Sequence, residues 1–321
     1  MKKRFFSYIS SFLCIIMLFS LVSCASFNTS EGVESGSESN TNAAYSEIYL
    51  NNGNINNSTQ KQTDKQTDKQ TDKQTDKQTD KQTDKTENVT TFKVRFASYN
   101  LKHAEDNKDL KKIAANITNN GIEIVGFQEV DNNTSRSGKV NQVKRLSELT
   151  GYKYYHFFKA INHDGGEYGT AILSKYPIES SKKISLSSGS AEQRVLGHCV
   201  INVNDEKINF FVTHLSYDGE GGGSSRSKQF SEIANELAKY DNFVLSGDFN
   251  TRNLNEYDVI AGSALVNTKE DPKVTYPDGR SPLDNLVYST SVWKFDTINV
   301  VTQSYSDHYM IHALGTFTKK K

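Results

Sequence analysis

Leu245-Ser246-Gly247-Asp248-Phe249-Asn250-Thr251 follows a short apolar run, residues 242–245, with the length and bounds of a buried strand. Asp248 and Asn250 stand two apart. At a strand end, that spacing sends both side chains to one face. The carboxylate can take a proton or hold a cation, and the amide can donate to a phosphate oxygen. Gly247 lets the backbone come close to a ligand. Gly-Asp-x-Asn is equally a turn signal when taken alone, so other segments must decide.

Working outward, residues 92–101 alternate, with Phe92, Val94, Phe96 and Ser98 against Lys93, Arg95, Ala97 and Tyr99, and predict a strand ending at Asn100. Leu110, Ile113, Ala114 and Ile117 have helical spacing, and Gly121 stops that helix. Residues 122–130 are a near-continuous apolar strand running into Gln128-Glu129-Val130. A glutamate there needs a partner, either a cation in a site or a plain lysine. Further helices are expected at 143–149 and 230–240. Strands are expected at 152–158, 167–174, 194–203, 207–214, 283–288, 292–299 and 308–317. Strands outnumber helices and several are hairpin-linked, so two packed sheets with helices outside fit better than one parallel doubly wound sheet. The suspicious polar residues all lie at strand ends: Asn100, Glu129, His214, Asp248 with Asn250, and Asp307 with His308. Sheet ends are where chemistry is usually held.

The chain before residue 92 is of another kind. Lys2, Lys3 and Arg4 precede an apolar run over residues 9–22, too short and interrupted for a membrane span. It ends in Leu21-Val22-Ser23-Cys24, which resembles a bacterial lipobox with Cys24 as the lipidated first mature residue. The alternative is an ordinary signal with an incidental cysteine. Cys14 would leave with the signal, so Cys199 is left alone among apolar neighbours, as a buried structural thiol.

Residues 61–84 are Lys-Gln-Thr-Asp repeated six times. No unit has a core residue to stack, so a solvated tether is expected. The expected division is a lipoprotein signal over 1–23, a tether over 24–91 and one folded domain over 92–321. The signal carries three positive charges, residues 25–60 carry four glutamates and the repeat is neutral. Since the whole chain sums to zero, residues 85–321 carry +1. That argues against a broad basic surface for long nucleic acid.

The ordered segments Ala97-Ser-Tyr-Asn-Leu, Val125-Gly-Phe-Gln-Glu-Val-Asp131, Tyr168-Gly-Thr-Ala-Ile-Leu-Ser174, Thr213-His-Leu, Leu245-Ser-Gly-Asp-Phe-Asn250, Leu283-Asp-Asn-Leu-Val and Ser306-Asp-His308 resemble the endonuclease/exonuclease/phosphatase superfamily. The resemblance implies an α/β fold, a four-layer sandwich of two mixed β-sheets flanked by helices. It implies metal ligands at Glu129, Asn100 and Asp307, hard oxygen donors suited to Mg²⁺ or Mn²⁺. It makes Asp248 the residue that orients or deprotonates the attacking water, and Asn250 a phosphate donor. His214 and His308 would flank the phosphate, with Asp284 orienting His308 and Glu167 orienting His214. Arg194 would clamp a phosphate oxygen or form a surface salt bridge. Lys102 stands where some members carry a second acidic residue, which implies one metal site instead of two.

The reaction so implied is in-line attack of water on a phosphoester. Residues 131–138 and 164–170 resemble a bacterial branch of metal-dependent hydrolases. A lipid-anchored monomer at the cell membrane, hydrolysing phospholipid head groups or small phosphodiesters, is the first expectation. An extracellular nuclease on DNA or RNA is the second, and a non-catalytic surface adhesin the third. The Gly-rich stretch 219–225 carries neither the basic stripe nor the apolar hairpin that would separate the first two.

Overall fold

The computed structural model describes residues 88–105, 109–217, 222–303 and 305–320. The expected signal, Cys24 and the repeat tether lie outside the described residues, as do residues 219–221 of the Gly-rich stretch.

Thirteen strands and three α-helices make up the described chain. Strand β1 (Val89–Asn100) is followed by α1 (Leu110–Asn119), β2 (Ile124–Asn132), α2 (Gln142–Thr150), β3 (Tyr154–His163) and β4 (Gly166–Ser174). Next come β5 (Ile178–Leu186), β6 (Arg194–Val203), β7 (Glu206–His214), α3 (Gly222–Leu237) and β8 (Phe243–Asp248). The last strands are β9 (Ser263–Leu265), β10 (Asp284–Ser289), β11 (Trp293–Phe295), β12 (Asn299–Val301) and β13 (Met310–Lys320).

One sheet runs β11-β13-β1-β2-β4-β3, with β12 also on β13, and the other runs β5-β6-β7-β8-β10-β9. Each is mixed, with one parallel pair at its centre, β1 with β2 and β7 with β8. Those pairs are the ones joined through α1 and α3, as parallel strands require a crossover.

Three apolar clusters define the layers. Phe96, Ile124, Phe210, Val244 and Leu286 fill the space between the sheets. Ala97, Tyr99, Val125 and Phe127 face Ile113 and Ile117 of α1 and Leu146 of α2. Phe211, Leu245 and Val287 face Phe230 and Ile233 of α3. This is the expected four-layer sandwich. Cys199 is in the inter-sheet cluster, and burial pushes its thiol up to about 12, as befits a structural cysteine.

The period of two decides where the chemistry sits. In β1, Val94 and Phe96 point between the sheets, so Ser98 and Asn100 follow them there. In β7, β8 and β10 the same count carries His214, Asp248 and Asp284 to the inter-sheet face. Both parallel pairs present their carboxyl ends, so one edge of the apolar layer becomes polar. The sheets come close there, and a Cβ on Gly126 would lie 1.9 Å from Ser246 Oγ.

Some expectations need correcting. The strand β5 has no counterpart among the expected elements. Five consecutive residues of it, Glu179–Lys183, are exposed, so no half-buried alternation marks it. The strand expected over 292–299 is two short ones separated by irregular backbone. The helix expected from 230 begins at Gly222. Gly247 does not open onto a ligand, because the space beside it is filled by Thr213 and Phe249 at 2.9 and 3.0 Å from an added Cβ.

Candidate active site

Four backbone devices bring the site together. Register pairs Asp284 at the start of β10 directly with Asp248 at the end of β8. A bulge in β2 between Phe127 and Val130 puts Glu129 at φ 54° and turns it off the apolar alternation. Ser306 Oγ donates to Asn100 O at 2.7 Å, and Tyr305 N donates to the Tyr99 hydroxyl at 3.0 Å. These contacts fix the segment before β13, and with it Asp307 and His308, against the end of β1. Asn250, at φ 51°, is held by its own N–H on Asp248 Oδ1 at 2.9 Å.

Two carboxylates directly opposite in a sheet repel each other. Here His308 lies between them, with Nδ1 2.8 Å from Asp284 Oδ2 and Nε2 3.5 Å from Asp248 Oδ2. Asp248, Asp284 and His308 are all buried. Burial alone would lower the His308 pKa, but Asp284 and Asp248 together outweigh it and hold the ring up to about 10. Asp248 is pushed up to about 7, by burial first and by Asp284, against the pull of His308 and Asn100. His308 is therefore the proton-rich member and Asp284 its orienting carboxylate, the pairing implied by the resemblance. The Tyr276 ring packs edge-on to His308 at 5.0 Å, a neighbour no sequence pattern singled out.

His214 is the opposite case. Burial, Arg194 and His308 drive its pKa well below the ordinary value. Arg194 Nη1 is 3.1 Å from Nδ1, and the Asn250 amide nitrogen is 3.1 Å from Nε2. A neutral imidazole accepts on only one nitrogen. With the guanidinium on Nδ1, the Asn250 amide has one hydrogen on Leu215 O, at 2.9 Å, and one for another acceptor.

Arg194 is neither a surface salt bridge nor an open clamp. It is 6% exposed, held by Glu192 at 2.7 Å and set against Nδ1 of His214. Glu167 does not orient His214. Its carboxylate takes Lys159 at 3.1 Å and the Asn132 amide at 2.9 Å, because its backbone is paired with Asn132 and Asn162 at the far end of β4.

On the other sheet, Asn100 differs from the expected oxygen ligand. Its Oδ1 accepts from Lys102 N at 3.0 Å, and its Nδ2 donates to Glu129 at 2.9 Å and Asp248 at 3.0 Å. It bridges the two carboxylates, one from each sheet. Glu129 is part-exposed, bonded to Asn100 through one oxygen, and makes no ion pair with any described lysine or arginine. The lysine-paired reading of Glu129 therefore fails among the described residues. A part-exposed carboxylate on strained backbone, ion-paired to no described lysine or arginine, fits a divalent ion of the Mg²⁺ or Mn²⁺ type. Asp307 supplies a second carboxylate, part-exposed, with Lys102 Nζ 3.4 Å from Oδ2. Asp248, Asp284 and His308 also lie within ligating distance of one another, with His308 between Oδ2 of each carboxylate and Asp284 Oδ1 buried without a hydrogen-bond partner.

The two stretches 131–138 and 164–170 meet beside the site. Arg136 grips the buried Asp131 through two bonds of 2.7 and 2.8 Å, and its N–H donates to Asp164 at 2.6 Å. A surface hollow of about 510 Å³ lies elsewhere, over Ile260, Leu265 and Thr268, and includes none of these site residues.

The family model for the Endonuclease/Exonuclease/phosphatase family matches residues 97–308. Three solved structures illustrate the fold likeness. An endonuclease/exonuclease/phosphatase family protein from Bacteroides thetaiotaomicron is 17% identical, covers 72% of this chain and 97% of its own, and has a TM-score of 0.57. A Bacteroides thetaiotaomicron mannosyl-6-phosphatase is 16% identical over 68% of this chain and 98% of its own, with a TM-score of 0.53. TDP2 from D. rerio, complexed with a single-strand DNA product, is 16% identical over 70% of this chain and 98% of its own, with a TM-score of 0.55. No curated protein matches the sequence.

Proposed function

The chain belongs to the endonuclease/exonuclease/phosphatase family, and from that premise we propose that it is a divalent-metal-dependent phosphodiesterase, lipid-anchored through Cys24 at the outer face of a bacterial membrane. The observation that carries the chemistry is the Asn100 bridge. One amide ties Glu129 of the first sheet to Asp248 of the second, within reach of the Asp284–His308 pair.

Glu129 would hold the ion, which would supply charge neutralisation on the phosphate or leaving oxygen, with Asp307 as the second carboxylate of the opening. Asp248 holds the water and takes its proton, and its raised pKa makes it a better base than an ordinary carboxylate. Asn100 fixes the direction of that carboxylate. His308, protonated between two carboxylates, donates to a phosphoryl oxygen or the leaving group. Asn250 offers its remaining amide hydrogen to a second phosphoryl oxygen, and neutral His214 lines the same wall. Asp284 and Arg194 hold the two imidazoles from behind.

The substrate class we favour is a phospholipid head group or small phosphodiester, supported by the +1 charge of residues 85–321 and the lipobox. A nuclease reading is favoured by one specific observation, the fold likeness to TDP2 with its DNA product. The full chain should be offered plasmid DNA, RNA, sphingomyelin and bis-p-nitrophenyl phosphate, with Mn²⁺ and with EDTA. Head-group release with DNA intact is the expected result. Nicking of DNA moves the protein to the nucleases, and no metal-dependent turnover of any of the four defeats the hydrolase reading.

A further inference from the structure

Backbone strain and a positive charge coincide in one described segment at the mouth of the site. Lys102, His103 and Ala104, just beyond Asn100, have φ of 44°, 45° and 49°. With ψ of 26° and 33° at the second and third, the chain makes a left-handed turn. None of the three is glycine, asparagine or aspartate, the residues that enter this region at low cost. Such a conformation persists only where its surroundings over-determine it. Lys102 N donates to Asn100 Oδ1 at 3.0 Å, Ala104 N to Leu101 O at 2.8 Å, and Gln142 Nε2 to His103 O at 2.6 Å. Ala104 is fully buried.

The turn aims the Lys102 ammonium at Asp307, 3.4 Å away, with 41% and 32% of the two side chains exposed. A partly exposed ion pair of that kind is among the weakest stabilising contacts. Stability does not account for three strained residues spent on it, whereas the position of the charge does. An ammonium has donors and no acceptor, so it cannot ligate an ion and repels one nearby.

We propose that Lys102 is the resident cation of the Asp307 side of the site, standing by charge where a second divalent ion would stand, so that the site takes one ion, at Glu129. The proposal rests on the metal-dependent reading above. The ammonium neutralises Asp307, and the Lys102 N–H holds the Asn100 amide that bonds Glu129, so that a phosphoryl or leaving oxygen beside the ion would meet a positive charge there.

The test is Mn²⁺ stoichiometry by calorimetry on the full chain, wild type and variants, with turnover of bis-p-nitrophenyl phosphate alongside. Lys102→Asp and Lys102→Asn both tolerate the left-handed backbone, so the turn is kept. Wild type should bind one Mn²⁺ per chain and Lys102→Asp two. Lys102→Asn should still bind one, with turnover lowered about 10- to 100-fold, since a preorganised charge is lost. Two ions in wild type, one in Lys102→Asp, or unchanged turnover in Lys102→Asn overturns the proposal. Wild type that turns over with two ions defeats only the role of Lys102. Wild type that neither binds Mn²⁺ nor turns over defeats the hydrolase reading with it.

Discussion

At the edge where the two sheets meet, the site divides into an open half of part-exposed groups at the ends of the first sheet, two of them on strained backbone, and a buried half built on regular strands of the second sheet, to which the segment before β13 adds His308. Glu129 and Lys102 both sit at positive φ, and Asp307 is open to solvent. Asp248, His214, Asp284 and His308 are all 7% exposed or less, and three of them are strand residues in register. The ionisation follows the same division. Shifts are large at Asp248, His214 and His308, driven by burial first at Asp248 and His214 and, at His308, by Asp284 and Asp248 outweighing burial. Open groups on bent backbone suit a ligand that must arrive and leave. Buried groups on rigid strands suit proton transfer, because pKa values are set by desolvation and fixed partners.

The sharpest way to break this division is at Asp248. Asp248→Asn keeps the shape and removes the base, so kcat should fall about 10²- to 10⁴-fold. Mn²⁺ affinity should change little, because the open half would be intact. Circular dichroism checks the fold, and calorimetry checks the metal. If the variant loses Mn²⁺ binding as completely as activity, the two halves are not separable.

Glu129→Gln is the mirror experiment. Wild type should gain melting temperature with Mn²⁺, by mass action on the folded state. The variant should gain almost none, and its kcat/KM should fall about 10- to 100-fold or more at fixed Mn²⁺. Its stability in EDTA should match wild type, since Glu129 is part-exposed and only one hydrogen bond is altered. A large loss of stability in EDTA would mean that Glu129 is a structural residue.

Asp284→Asn tests whether the buried half is also structural. The change leaves His308 with Asp248 alone and exposes no new surface. Breaking a buried charge pair costs about 3 kcal/mol or more, and kcat should fall with it. The stability loss, read by urea denaturation in EDTA, distinguishes it from Glu129→Gln.

The same physical difference decides how much the sequence shows. Residues on regular strands were legible, because the period of two places Asn100, His214 and Asp248 at strand ends from pattern alone. Asp284 and His308 fell into place through the ordered motifs. What escaped depends on departures from regularity. The bulge at Glu129 and the left-handed turn at Lys102 have no glycine to announce them. Glu167 was misassigned because its direction depends on where the β3–β4 pairing puts it, beside Lys159 and Asn132. The strand β5 is an exposed edge with no apolar alternation to read. Arg194 is buried behind His214, which a lone Glu-Gln-Arg cannot reveal.

The smallest effect sharpens the comparison furthest, because it isolates burial from catalysis. His214 is held neutral, its pKa driven below the ordinary value of 6.5 by burial, Arg194 and His308. A group whose folded pKa is depressed stabilises the fold fully above its unfolded pKa. That stability is lost as pH falls below about 6.5, when the unfolded chain takes the proton and the folded one does not. His214→Gln retains a hydrogen-bonding side chain and removes the titration. Melting temperatures in EDTA should therefore fall less steeply for the variant than for wild type between about pH 6.5 and pH 5, by a few degrees. Equal slopes would show that the ring is already charged in the folded state. The Arg194 guanidinium, 3.1 Å from Nδ1, would then have to face an imidazolium, and the second sheet would lose its claim to be the half where burial sets the proton.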